Sequence, residues 1–361
     1  MEKKKVERPG DKIQELLDQT GMSRRDLAAR TNSTEKHICT LLNGDRSITA
    51  SFAKKLGYVF EGYDALFWQN IQNEYDIYEL DKQEESNISN DELGVLKNLG
   101  DILKHFITKQ YVHNDCSPTS KVIQLRQLLN ISDLTLIPNV TYDAAYRAQL
   151  SSNGKINPYV LFAWQRLCEK ETENLEVSSY LNLDILKNKL NEIKELMFNP
   201  SLEDGCTALQ ELLATCGIAF KIVKHFRGAP VQGFIKQVTK EKIILCLTLR
   251  RQRADIFWFT LFHEIAHIIN GDYKVKFVDF DSIDNEIEIR ADRYARDFLI
   301  PLESYKEFLS LKNQIGWNDI VDFAKKVHVQ PYIVLGRLQK DEVLDWSEFS
   351  SKIPMYRWLE K

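Results

Sequence analysis

The stretch Phe257-Trp258-Phe259-Thr260-Leu261-Phe262-His263-Glu264-Ile265-Ala266-His267-Ile268-Ile269 constrains this 361-residue chain more than any other. It is apolar almost throughout and reads as a buried helix. Residues four apart on a helix sit one above the other on the same face, so His263 and His267 can offer two ring nitrogens to a single ion. Glu264 lies about 100° round the helix, within reach of a water at that ion without being a ligand itself. This is the geometry of a zinc hydrolase. With 7 His in the chain, a chance His-Glu-x-x-His is expected on the order of once in a hundred such chains.

A third ligand is needed, and the sequence offers one. Asn270-Gly271 stops the helix, a loop runs through Asp284, and a second helix follows from Asn285 to Ile300, ended by Pro301. Ile287, Ala291, Ala295 and Phe298 form its inward stripe. Catalytic zinc takes three protein ligands and one water, and His-His-Glu is one of its standard sets. Glu288, 21 residues after His267, fits the third place. Asp292, one turn on, can accept the outer ring N–H of a zinc histidine. Glu286 competes for the ligand position, but Arg290 four residues later is its natural surface partner. In the chemistry this set implies, Glu264 is the general base. The oxyanion donor is open among Tyr294, His328 and Arg337. Lys242 to Leu249, an apolar strand just before the helix, reads as a substrate-binding edge, as a core strand, or as both at once.

The rest of the chain bounds the setting. Charged residues at 28% and hydrophobic residues at 43% are ordinary for globular domains, and the length allows two or three of them. No run approaches the roughly 18 apolar residues of a membrane span, and the N-terminus leads into no apolar core, so no membrane partner and a cytoplasmic location are expected. The 6 cysteines form no C-x-x-C pair and read as reduced thiols. Residues 1–60 carry 12 Lys and Arg against 8 Asp and Glu, so a +4 head joins a body of −8 in a chain of net charge −4. That asymmetry is compatible with a nucleic-acid-binding head.

Within that head, Ser23 is a natural N-cap with Asp26 three residues on, and Leu27 and Ala28 face inward. After a turn at Thr31 to Ser33, where Asn32 can adopt the left-handed conformation, Thr34 caps a second helix that ends at Asn43-Gly44. This is a helix-turn-helix pattern. The early residues of its second helix face the major groove, making Thr34, Glu35, Lys36 and Thr40 the candidate base readers. Arg24, Arg25 and Arg46 are the candidate phosphate contacts. The alternative is a small helical bundle that touches no DNA.

The polar run Asp81 to Asn90 reads as a linker. From Leu93 to Asn199 four helical apolar stripes follow with no catalytic spacing, and this part reads as a connector for toxin binding, dimerisation or sensing. After residue 200 the period changes to a helix at Asp204 to Cys216 and three strands, Ile218 to Val223, Val231 to Lys236 and Lys242 to Leu249.

Two resemblances refine this reading. The residues from Arg8-Pro9-Gly10 through Ile48-Thr49, with Asn43-Gly44-Asp45-Arg46-Ser47-Ile48-Thr49 and the ending Trp68-x-x-x-Gln72-x-x-Tyr75-Asp76, resemble the HigA-like antitoxins of the Xre/Cro helix-turn-helix family. That resemblance implies binding of a double-stranded DNA operator as a homodimer, in a toxin–antitoxin or phage-related locus. Residues from about 210 to 340 resemble the ImmA/IrrE-family zinc metallopeptidases, through the His263-Glu264-x-x-His267 helix, Glu288-x-x-Ala291-Asp292-x-x-Ala295-x-x-Phe298-Leu299-Ile300-Pro301, and Gln330 to Gln339. Tyr294 stands where Phe is usual. The second resemblance implies a Zn2+ site at His263, His267 and Glu288 and narrow regulatory proteolysis.

The expectation is therefore a multidomain, mainly α chain. It comprises a helix-turn-helix bundle at residues 1–80, a helical middle region at 81–199, and an α+β zincin-like metallopeptidase domain with a small sheet at 200–361. Its expected function is that of an antitoxin-type transcriptional regulator carrying a zinc endopeptidase that cleaves a specific protein. The alternative is a non-proteolytic antitoxin or repressor whose peptidase-like domain binds a cognate toxin or senses a ligand.

Overall fold

The computed structural model describes residues 6–140, 156–178, 180–199, 202–239, 242–274, 283–310 and 314–357. Part of the expected middle helical region (141–155) and most of the expected loop after Gly271 (275–282) lie outside the described residues. The chain divides into two compact units. One is formed by residues 1–90 with 117–123, the other by 91–116 with 124–361.

The first unit opens with helices α1 (Pro9–Thr20), α2 (Arg24–Arg30), α3 (Glu35–Asn43), α4 (Ala50–Val59) and α5 (Ala65–Asn87). The expected local signals operate as chemistry. Ser23 and Asp26 form a reciprocal capping box at the start of α2, Thr34 accepts from the His37 N–H at the start of α3, and Asn32 is left-handed with φ 47°. Each such cap is worth about 1 kcal/mol. Inward residues of the five helices, including Ile13, Leu27, Ile38, Phe52, Leu56 and Trp68, make one core. Gly10 allows α1 to approach the end of α3, because a Cβ there would lie 2.5 Å from the Leu42 carbonyl oxygen. The Trp-x-x-x-Gln ending is structural. Trp68 is fully buried, the Gln72 side chain accepts from the Ile48 N–H at 2.8 Å, and Gln69 donates to the Ile48 carbonyl at 3.0 Å.

The run Asp81 to Asn87, expected to be an irregular linker, instead continues α5. It holds no Gly or Pro to break the helix, and a Lys82–Glu79 pair supports it. Helix α6 (Asn90–Leu99) begins immediately after.

The second unit has α6, α7 (Asp101–Thr108), the second half of α8 (Pro118–Leu129), α9 (Pro158–Thr172), α10 (Leu183–Glu195) and α11 (Leu202–Ala214), then strands β1 (Ile218–Ile222), β2 (Gly233–Gln237) and β3 (Ile243–Leu247). The sheet order is β1-β3-β2, with β1 parallel and β2 antiparallel to β3. The strand closest to the His-Glu-x-x-His helix in sequence is thus central and buried along its whole length. The core-strand alternative holds for it, and the edge-strand alternative falls. Helix α9 packs against this sheet: Trp164 meets Phe234 edge-on and donates to the Lys224 carbonyl, and Lys242 caps the α9 C-terminus through the carbonyls of Thr172, Glu173 and Leu175.

The remaining helices are α12 (Ala254–Asn270), α13 (Ile283–Leu299), α14 (Leu302–Ser310), α15 (Trp317–Lys326) and α16 (Pro331–Lys340). Helix α12 is apolar on nearly every side and sits inside the core between β-strands and helices. It ends as expected at Gly271, left-handed with φ 80°. No helix among the described residues is long and apolar enough to cross a membrane, and all six cysteines are free.

Candidate metal centre and helix-turn-helix

Helix α12 presents His263 and His267 one turn apart, 4% and 1% exposed. Their Nε2 atoms stand 3.0 Å apart and both face Glu288 of α13, at 3.1 Å for His263 and 3.2 Å for His267. One ligand atom from each of the three residues lies within 4.8 Å of the others, a possible metal site.

The outer ring nitrogens are held as a metal site requires. His263 Nδ1 donates to Asp292 Oδ1 at 2.7 Å, and His267 Nδ1 donates to Asp272 Oδ2 at 2.9 Å. A carboxylate on Nδ1 fixes the tautomer that leaves Nε2 free as a ligand. Asp292 lies one turn after Glu288, so both reach the histidines from one side of α13.

The electrostatics favour positive charge at this point. Burial alone would lower the His263 pKa, but hydrogen bonds to Asp292 and Glu288 and the charges of Glu264 and Glu288 lift it to about 10. Burial likewise opposes protonation of His267, and Asp272 and Glu288 outweigh it, raising its pKa to about 9. Burial pushes Glu288 up, yet its bonds to the two imidazoles pull it down to about 2. Acids that favour positive charge at this point equally favour a divalent cation, which would take the place of the Nε2 protons and bind the two imidazoles in their neutral form.

Glu264 is 1% exposed, and its Oε1 is buried without a hydrogen-bond partner. Burial raises its pKa, partly countered by His263 and His267. Its carboxylate lies against the backbone of Gly233 at the start of β2, where a Cβ would come within 2.6 Å of Glu264 Cγ. A buried acid with a free oxygen beside a cation site has the placement of a proton acceptor.

Of the oxyanion candidates, two are held elsewhere. Arg337 bonds to Asp341 at 3.2 Å and to the carbonyls of Arg296 and Ile300, and it lies over the Tyr305 ring. It fastens α16 to the end of α13. His328 sits in a left-handed turn after α15, bonded to Glu195 and packed on Phe198. Tyr294 is half-buried on α13 with its ring stacked on Phe298, about 120° round the helix from Glu288. Three contributors escaped the sequence reading. Asp272 lies in the short turn after Gly271, outside any helical period; Gly233 acts through its missing side chain; and Arg290 bonds to Asp272 instead of pairing with Glu286. A glycine helix stop followed directly by an acid was the one available signal for Asp272.

In the first unit, Arg24, Arg25, Glu35, Lys36 and Arg46 all stand exposed on or beside α2 and α3. Arg24 bonds to Gln14 at 3.1 Å. Thr34 and Thr40 spend hydroxyl contacts on their own helix, Thr34 as the cap and Thr40 by donating to the His37 carbonyl at 2.8 Å. Glu35 and Lys36 are therefore the more available members of the expected reading set.

The chain is similar over 75 residues, 21% of its length, to an uncharacterized HTH-type transcriptional regulator, YddM, of Escherichia coli K12, at 36% identity and across 79% of that protein. It is 32% identical over 75 residues to virulence-associated protein A' of Dichelobacter nodosus, spanning 65% of that protein's length. A solved structure of an addiction module antidote protein of a HigA family from Coxiella burnetii is 32% identical, across 24% of this chain and 98% of that one, with a TM-score of 0.21. No family model matches the chain.

Proposed function

Because the chain belongs, through a 75-residue segment, to the HTH-type transcriptional regulators, we propose that it is a DNA-binding regulator of antitoxin type whose second unit is a zinc-dependent endopeptidase acting on a specific protein. The DNA-binding part rests on the exposed residues of α2 and α3, with Arg24, Arg25 and Arg46 contacting phosphates and Glu35 and Lys36 facing base edges beside Thr34 and Thr40. Operators read by such modules are commonly two-fold symmetric, which fits a homodimer.

The observation that carries the peptidase reading is the convergence of His263, His267 and Glu288 with both outer ring nitrogens held by carboxylates. In that reading these three residues hold Zn2+, which supplies Lewis acidity towards water and a peptide carbonyl. Asp272 and Asp292 keep the two imidazoles in the ligating tautomer. Glu264 Oε1 accepts the proton of the attacking water and returns it to the leaving amine, and its burial gives it the basicity for both transfers. Gly233 leaves the space in which that carboxylate sits.

Glu264→Gln tests the reading, because it keeps the three ligands and removes only the base. Zinc content should stay at about one per chain, while a protein from the chain's own locus that is shortened by the parent should remain full length. If every such protein keeps its length with the parent as well as with Glu264→Gln, proteolysis is excluded, and the second unit holds a toxin or senses a ligand without cutting.

A further inference from the structure

We propose that Arg290 is a positioning residue for the metal, acting on His267 through Asp272; the inference rests on the metal-site reading above. The two ring-orienting carboxylates are not equivalent. Asp292 has a side chain 59% exposed, so water can solvate it. The Asp272 side chain is 5% exposed, with one oxygen accepting from His267 Nδ1 and the other from Arg290 Nη2. A buried carboxylate needs both oxygens engaged, and a guanidinium is the donor best suited to fix one without losing its charge. Arg290 thereby sets where Asp272 points, and Asp272 sets the plane and tautomer of the ring whose Nε2 faces Glu288. Residues 288–292 of α13 then supply a ligand, the orienter of one histidine and the clamp on the orienter of the other. The exposed side of Arg290, 54% of its side chain, leaves the clamp accessible from solvent.

The test is Zn2+ affinity of the full chain by competition with a chromophoric chelator. Arg290→Gln should weaken binding 10- to 100-fold, within the usual range for outer-shell partners of metal ligands. Arg290→Lys should recover part of the loss, because a lysine keeps the charge but not the planar fork. In an Asp272→Asn background, Arg290→Gln should add no further loss, a coupling that a general structural defect would not produce. Unchanged affinity in Arg290→Gln, or an equal loss with and without Asp272, overturns the inference. A parent chain that binds no Zn2+ in the same assay overturns the metal-site reading as well, and the two failures are distinguishable.

Discussion

The helix-turn-helix and the candidate metal centre both carry charged side chains, but at opposite extremes of burial. In the first unit, Arg24, Arg25, Glu35, Lys36 and Arg46 surround the bundle without entering its core of Ile13, Leu27, Ile38, Leu56 and Trp68. In the second, His263, Glu264, His267 and Asp272 are each 5% exposed or less and lie among the apolar residues of α12. An exposed charge can exchange partners with little effect on folding, since surface pairs contribute about 0–1 kcal/mol. A buried one must keep its partner, because removing it leaves an uncompensated charge at about 3–5 kcal/mol. Substitutions among the exposed candidate DNA contacts are therefore tolerated one by one by the fold, while the candidate metal ligands and their partners change only as a set.

The largest expected effect follows from breaking that set. His263→Ala should take zinc from about one per chain to none, measured by elemental analysis of protein purified without chelator. Zinc retained in that variant would sink the ligand assignment. Next comes Gly233→Ala. The added methyl group meets the Glu264 carboxylate, and such overpacking costs about 1–3 kcal/mol. Denaturant unfolding should show that loss while zinc stays bound, since no ligand is touched. An unchanged midpoint would mean that Glu264 moves aside freely and is not held in place by β2.

How far the chain was legible from sequence follows the same division by burial and period. The caps at Ser23 and Thr34, the left-handed Asn32 and the stop at Gly271 are local, so single residues announced them. His263 with His267, and Glu288 with Asp292, each lie one turn apart, and helical period alone brought each pair to one face. Strand order was not legible: β3 alternates nothing, being buried on both faces, and only its two neighbours show that it is central. Arg337 and His328 have the chemistry of an oxyanion donor, but tertiary packing spends them on the end of α13 and on Glu195. Asp272 and Arg290 come from different elements, so no spacing could join them. The polar end of α5 carried no apolar stripe because it buries no face, yet it remains helical.

A smaller effect separates buried from exposed lysines. Lys194 is buried, and its ammonium donates to the carbonyls of Leu299 and Val327 at 3.2 Å each, at the ends of α13 and α15. Burial lowers its pKa below 10.5, with Glu195 opposing. A lysine whose folded pKa lies below its unfolded value subtracts stability while charged, and the deficit fades as pH climbs from the lowered value to 10.5. The stability of the parent relative to Lys194→Met should therefore rise between neutral pH and pH 10.5, measured by urea unfolding at several pH values. A difference that is flat with pH would show that the Lys194 ammonium is as well solvated as an exposed one.

The smallest effect on folding belongs to the candidate DNA-contacting surface. Arg24→Ala combined with Lys36→Ala removes two exposed side chains that no core residue needs, so unfolding should shift by no more than about 0.5 kcal/mol. Zinc content should not change at all. Binding to a duplex from the chain's own promoter should nevertheless weaken, and its dependence on salt should flatten by about one unit of log–log slope for each phosphate that the variant no longer neutralises. A lowered affinity with an unchanged salt slope would assign both residues to base edges. Unchanged operator binding would remove α2 and the start of α3 from the interface, and the contrast between an adaptable exposed surface and a fixed buried centre would then stand on its buried half alone.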